Sequence, residues 1–329
     1  MTIAHEAERM FGSSFDLTTA SIFLFSAYLG WNIGANDAAN CVGPAVGAGL
    51  ISLRKGLLLV AASVFLGAIL QGSKTIETIS GIASLGNLDL AVISVLVGAS
   101  IVLFLLTLRG IPVSTTFVVL GAIVGISLLI GIPVNWAIST TIFIFGLLTP
   151  IVSLCFSYMI YRFIQNMNRR WPSVFRDNWI RLILLISCVF MAYSLGANNV
   201  GNAVGLLVEK KLIMPIVGGF IGGFAIAIGA LTMGKRVVLT VGKEISILDP
   251  LSAFAASMGA GICLYTLALL GIPTSSSFAI VGAVAGVGIS HGTNLVNRQT
   301  IRKIIEHWFI CPVLAGLMSI LVFLILKLI

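Results

Sequence analysis

Two short polar runs interrupt apolar sequence, and each occurs twice. Residues 34–43 read GANDAANCVG and residues 196–205 read GANNVGNAVG, 162 positions apart. Within the first, Asn36 and Asn40 are four residues apart and share one helical face, with Asp37 between them. A carboxylate and amides inside an apolar stretch are costly unless they face a cavity or a partner, so they mark function. Carbonyl, amide and carboxylate oxygens suit a hard cation such as Na⁺. Exposed backbone N–H groups at a helix end suit an anion. In the second copy Asn198, Asn199 and Asn202 replace the first set, so Asn199 stands where Asp37 stands. Gly34, Gly43, Gly196 and Gly205 bracket the runs. They are read as points of helix interruption or close backbone approach.

The second repeated run follows in each half. Gly110-Ile111-Pro112-Val113-Ser114-Thr115-Thr116-Phe117 pairs with Gly271-Ile272-Pro273-Thr274-Ser275-Ser276-Ser277-Phe278, now 161 positions apart. A proline at the first turn of a helix, followed by hydroxyls and free amides, forms an anion cradle. The expected anion-binding residues are Ser114, Thr115, Thr116, Thr274, Ser275, Ser276, Ser277, Asn40 and Asn202. Asn36, Asp37, Asn198 and Asn199 are the expected cation-coupling set, and Pro112 and Pro273 join the glycines as backbone breaks. No Lys or Arg lies inside these runs. A desolvated oxyanion there needs a co-bound cation.

The elements that carry these runs follow from composition. The chain has 329 residues, 58% hydrophobic and only 9% charged. A soluble domain carries about a quarter charged residues. Apolar runs at Leu17–Ile33, Gly56–Leu70, Leu90–Leu108, Trp136–Ile160, Ile180–Leu195, Leu212–Leu231, Leu251–Leu270 and Trp308–Leu326 predict membrane-crossing helices. The expected fold is all-α: a polytopic helical bundle with broken helices in a lipid bilayer. The matches in register, including Gly121 with Gly282 and Pro150 with Pro312, divide it into a first repeat (1–161), a basic linker (162–181) and a second repeat (182–329). Halves interrupted by Gly and Pro at corresponding positions point to a secondary transporter with its site near the midplane.

The net charge of +8 is spread over breaks between apolar runs and is no nucleic-acid footprint. Arg162, Arg169, Arg170, Arg176 and Arg181 place the central linker in the cytoplasm. Five single cysteines without a CxxC or His-Cys cluster argue against a structural metal or a disulfide framework. Residues 1–14 do not have the form of a cleavable signal peptide. His291, Glu306 and His307 lack a nucleophile or acid at motif spacing, so no enzymatic activity and no cofactor is expected. An ion channel is the competing class, but channels are commonly symmetric oligomers, and here one chain holds two unlike half-sites. A homodimer is left open.

GANDAAN and GANNVGN, each followed in its own half by Gly-Ile-Pro and hydroxyls, resemble the PiT-type inorganic phosphate transporters. The resemblance runs from about residue 17 to 326. It implies two inverted repeats, a re-entrant hairpin in each, and symport of phosphate with Na⁺ or H⁺ across the cell membrane, with both termini outside. Two departures matter. That family usually has GAND in both halves, and His where Phe117 and Phe278 stand. Groups able to accept a proton are thereby lost, which favours sulfate, an anion with no proton to hand over. The chain is also similar to the sulfate permease branch. Phosphate is the first expectation and sulfate the alternative.

Overall fold

The computed structural model describes residues 16–110, 113–168, 173–244, 248–291 and 298–328. Eleven helices occupy them: α1 (Leu17–Gly47), α2 (Leu53–Gln71), α3 (Ser73–Ser80), α4 (Asp89–Leu108), α5 (Thr115–Ile130), α6 (Trp136–Asn168), α7 (Ser173–Glu209), α8 (Pro215–Glu244), α9 (Pro250–Leu269), α10 (Ser276–His291) and α11 (Arg298–Leu328). Among the described residues, β pairing is confined to one isolated antiparallel bridge, Ala83 with Val134. Seven of these helices contain stretches long and apolar enough to cross a membrane. Away from its ends and prolines a helix satisfies its backbone amides internally, which is what lipid demands.

The helices obey the offsets of the sequence repeat. The starts of α1, α2 and α6 return 162 residues later, near the start of α7 and at the starts of α8 and α11. The starts of α4 and α5 return after 161, at α9 and α10. One residue is therefore lost between α3 and α4 and regained between α5 and α6. Left-handed backbone recurs at matched sites, Gly110 (φ 70°) with Gly271 (φ 72°) and Gly49 (φ 71°) with Lys211 (φ 58°). One pair is unlike: the first copy breaks at Gly72 into α2 and α3, whereas α8 runs unbroken. The basic segment 162–181 is mostly helical, with 162–168 in α6 and 173–181 in α7, while 169–172 lie outside the described residues.

Each half packs through the other. A Cβ on Gly34 would lie 1.8 Å from the carbonyl oxygen of Ile226, and one on Gly196 would lie 2.0 Å from that of Val64. Gly121 meets Pro312 and Gly282 meets Pro150 in the same way, at 2.2 and 2.1 Å. These are equivalent contacts made twice, always between copies. They correct one expectation: α1 and α7 are not broken at their Gly-Ala-Asn motifs but pass straight through Gly34, Gly43, Gly196 and Gly205. At Gly34 and Gly196 the missing side chain admits a neighbouring helix backbone, and no helix end is created there. The interruption at Gly-Ile-Pro does occur, between α4 and α5 and between α9 and α10.

Candidate functional site

The motif residues of α1 and α7 are all buried, and their side chains meet between the copies. Asp37 has no exposed surface. Its Oδ2 accepts from the Asn199 amide at 2.7 Å and from the Thr115 hydroxyl at 3.1 Å. Its Oδ1 lies 3.5 Å from the Asn40 amide. The Asn40 amide also donates to the hydroxyls of Ser276 and Ser277, at 3.0 and 3.1 Å. The equivalent Asn202 amide donates to the Thr116 hydroxyl at 2.9 Å. These hydroxyls then cross to the opposite loop: Ser277 donates to the Val113 carbonyl at 3.1 Å and Thr116 to the Thr274 carbonyl at 3.0 Å. Thr274 also shares a 2.6 Å hydroxyl contact with Thr149.

Donors are thus consumed, and acceptors are left over. The side-chain oxygens of Asn40, Asn199 and Asn202 are buried with no hydrogen-bond partner. A buried polar atom without a partner costs about 1–3 kcal/mol, and here three occur in the two motifs, two of them on Asn40 and Asn199, whose amides face Asp37. Such a set fits a hard cation.

Asn36 and Asn198 do something different. The Asn36 oxygen accepts the backbone N–H of Val113 at 3.3 Å, and its amide donates to Thr107 at 3.1 Å. The Asn198 oxygen accepts the N–H of Thr274 at 2.9 Å, and its amide reaches the carbonyls of Leu264 and Ile272, both at 3.4 Å. Each holds the first residue after Gly-Ile-Pro in its own half. Their oxygens are engaged with backbone.

The hydroxyl runs open α5 and α10. Ser114 accepts the Phe117 N–H at 3.2 Å and Ser275 accepts that of Phe278 at 3.3 Å, so both serines are N-caps. The helices begin at Thr115 and Ser276, so Pro273 lies in the extended loop before the cap and not at the first helical position. Pro112 lies outside the described residues. With the caps spent on the third amide, the amides of Thr115, Thr116, Ser276 and Ser277 lack intrahelical acceptors, at the positive end of each helix dipole. Behind them Phe117 and Phe278 meet edge to face, centroids 5.1 Å apart. Phe143 stacks on Phe117 at 5.4 Å and Trp308 packs on Phe278 at 3.6 Å. This apolar wall keeps the local dielectric low.

Three polar partners were not singled out from the sequence. Asn32 is buried, donates to the Tyr28 carbonyl at 3.0 Å, and has an unpartnered oxygen. The four-residue spacing of Asn32, Asn36 and Asn40 was the available signal. Thr107 and Thr149 carried none, since a lone threonine in an apolar helix bonds its own backbone as a rule. The side chains of His291 and His307 lie outside the described residues.

Residues 33–319 match the profile of the phosphate transporter family. The sulfate permease CysP of Bacillus subtilis is 32% identical over 89% of this chain and 83% of its own length. A candidate phosphate permease of Pyrococcus furiosus is 28% identical over 94% of this chain and 97% of its own. A solved structure titled as the sodium-dependent phosphate transporter superposes with a TM-score of 0.87 at 22% identity, covering 95% of this chain and all of that one. That likeness establishes the polytopic helical fold.

Proposed function

The chain belongs to the phosphate transporter family, and from that membership we propose that it is a secondary transporter carrying a tetrahedral inorganic oxyanion in symport with Na⁺ or H⁺. Phosphate is the first substrate on family grounds. The carrying observation is the trio of buried, unpartnered oxygens on Asn40, Asn199 and Asn202, the first two on residues that face Asp37 and the third on a residue bonded to Thr116 at the amino end of α5. Asp37 and those oxygens form the cation set; Na⁺ is favoured because neutral amide oxygens coordinate it but do not take up a proton. The free backbone amides of Thr115, Thr116, Ser276 and Ser277 receive the anion, with their hydroxyls turning to it from the partners they now hold. Each site then offsets the desolvation of the other. Asn36 and Asn198 are positioning residues that hold the two loops, and Ser114 and Ser275 act as caps.

The doubled contacts between copies support two repeats, residues 1–161 and 182–329; we read them as inverted on family grounds, with the basic segment 162–181 on the cytoplasmic side by its charge and both termini outside. At 16 residues each, α5 and α10 are short for a crossing, which favours a re-entrant hairpin with α4 and with α9.

Sulfate is a second reading with its own support. Asp37 is already engaged by Asn199 and Thr115, and among the described residues no further carboxylate is bonded into this network to take the proton that phosphate carries. Competitive uptake of radiolabelled phosphate and sulfate into proteoliposomes, with and without a Na⁺ gradient, tests both readings. Cation-stimulated, saturable uptake of either anion is expected. Uncoupled flux at channel rates, or no flux of either, overturns the proposal.

A further inference from the structure

The break at Gly72 has no counterpart in α8, and the short helix it releases carries charge to the level of the site. Thr75 donates to the carbonyl of Ala197, the neighbour of Asn198, at 2.8 Å. Lys74 and Glu77 are exposed on the opposite face of α3, and Thr75, Ile76 and Ile79 are buried. Lys74 Nζ donates to the last carbonyl of α9, that of Leu269, at 2.8 Å. Thr78 donates to the carbonyl of Gly271 at 2.5 Å. One residue on, the Ile272 carbonyl takes the Asn198 amide. So α3 grips the corner that leads into the second hydroxyl run. A cavity of about 310 Å³ opens there, lined by Thr78, Thr141, Ile138, Gly271 and Ile272 among others. Lys74 stands at its rim, its Cβ 3.3 Å from where a Cβ on Gly271 would be.

An exposed ammonium and carboxylate on the helix whose Thr75 bonds the neighbour of Asn198 are costly in hydrocarbon, so this face of α3 borders water. We infer that the cavity is an access vestibule to the second hydroxyl run, and that Lys74 is its anion-capturing residue. This rests on the oxyanion-transport reading above. An ammonium has three N–H donors, and the Leu269 carbonyl takes one of them. The others are available to an arriving oxyanion. The hydroxyl runs and their asparagines hold no cation of their own, so Lys74 offsets charge while the anion sheds water, before the coupling ion completes the site. Glu77 on the same face opposes it and tempers the capture, which allows release.

The test uses the full chain in proteoliposomes with phosphate and sulfate as probes. Lys74→Gln should raise KM roughly five- to tenfold, the effect of one charge across a few ångströms of water, with the maximal rate held within about twofold, and Lys74→Arg should restore KM. Glu77→Gln should lower KM, and 0.5 M inert salt should shrink both differences. Thr141→Cys should react with a membrane-impermeant thiol reagent from one side, more slowly when the transported anion is present. A Lys74→Gln variant that loses maximal rate with KM unchanged makes α3 a brace only and overturns the inference. So does a Thr141→Cys variant that is inert from both sides. If the parent chain carries neither anion, the transport reading itself has failed, and this inference falls with it.

Discussion

Asn199 donates its amide to the carboxylate of Asp37 at 2.7 Å, although the two residues occupy the same position in the two copies. A residue and its repeat equivalent touch only where the copies meet. The one ionisable position of the motif therefore accepts from its own neutral counterpart, and the pair holds a single carboxyl group where symmetry alone would place two or none.

Asp37→Asn should abolish cation-coupled uptake while leaving a folded protein. The substitution keeps the volume and most of the hydrogen-bonding capacity, but removes the charge that faces the cation. At least a tenfold loss in apparent Na⁺ affinity is expected from a contact of this kind. The check is the Na⁺ dependence of uptake, alongside size-exclusion behaviour and thermal unfolding close to the parent's. Uptake with unchanged Na⁺ dependence would remove Asp37 from the coupling site.

Asn199→Asp should do the reverse. Two carboxylates at hydrogen-bond distance repel one another and call for a further positive charge. Uptake at low Na⁺ should fall, and its dependence on Na⁺ should become steeper. A Na⁺ titration of initial rates decides this; a curve that overlays the parent's would show that Asn199 does not border the cation.

The asparagines separate into two roles that kinetics can distinguish. Removing Asn36 or Asn198 frees a buried backbone amide, of Val113 or Thr274, at a cost of about 1–3 kcal/mol. The hydroxyl loop then loosens. Asn36→Ala and Asn198→Ala should raise the anion KM about tenfold and leave the apparent Na⁺ affinity within a factor of about two. Asn202→Ala should move Na⁺ affinity. If Asn36→Ala shifts Na⁺ dependence instead, the cation set must include it.

The glycines differ in what they tolerate. Gly34→Ala and Gly196→Ala each place a methyl group within 2.0 Å of a backbone oxygen that cannot rotate away. Both should lower stability by more than about 2 kcal/mol, since well-packed helices must part. Gly56 is a control in the same bundle. A Cβ there meets Val42 at an ordinary 3.5 Å, so Gly56→Ala should be neutral or stabilising by up to about 1 kcal/mol through helix propensity. Thermal unfolding in detergent gives the ranking, and equal midpoints for all three would refute the close-approach account.

What the sequence determined by itself is what depends on neighbours along the chain. Apolar runs of bilayer length, the offsets of 162 and 161, and the Gly-Ile-Pro breaks are all properties of local order, and the helices follow them. The motif residues were visible because a carboxylate in an apolar run conflicts with its solvent. Their partners were not. Helical spacing put Asn36 and Asn40 on one face, but could not say that one would hold the loop of its own half and the other reach Ser277 of the opposite half. It also left open whether Gly34 breaks a helix or lets one approach, because a missing Cβ permits both, and only the Ile226 backbone lying against it chooses. Those matters belong to the packing of one copy on the other. Hydrogen bonds there join residues as far as 236 or 237 positions apart, a separation at which periodicity says nothing about who meets whom.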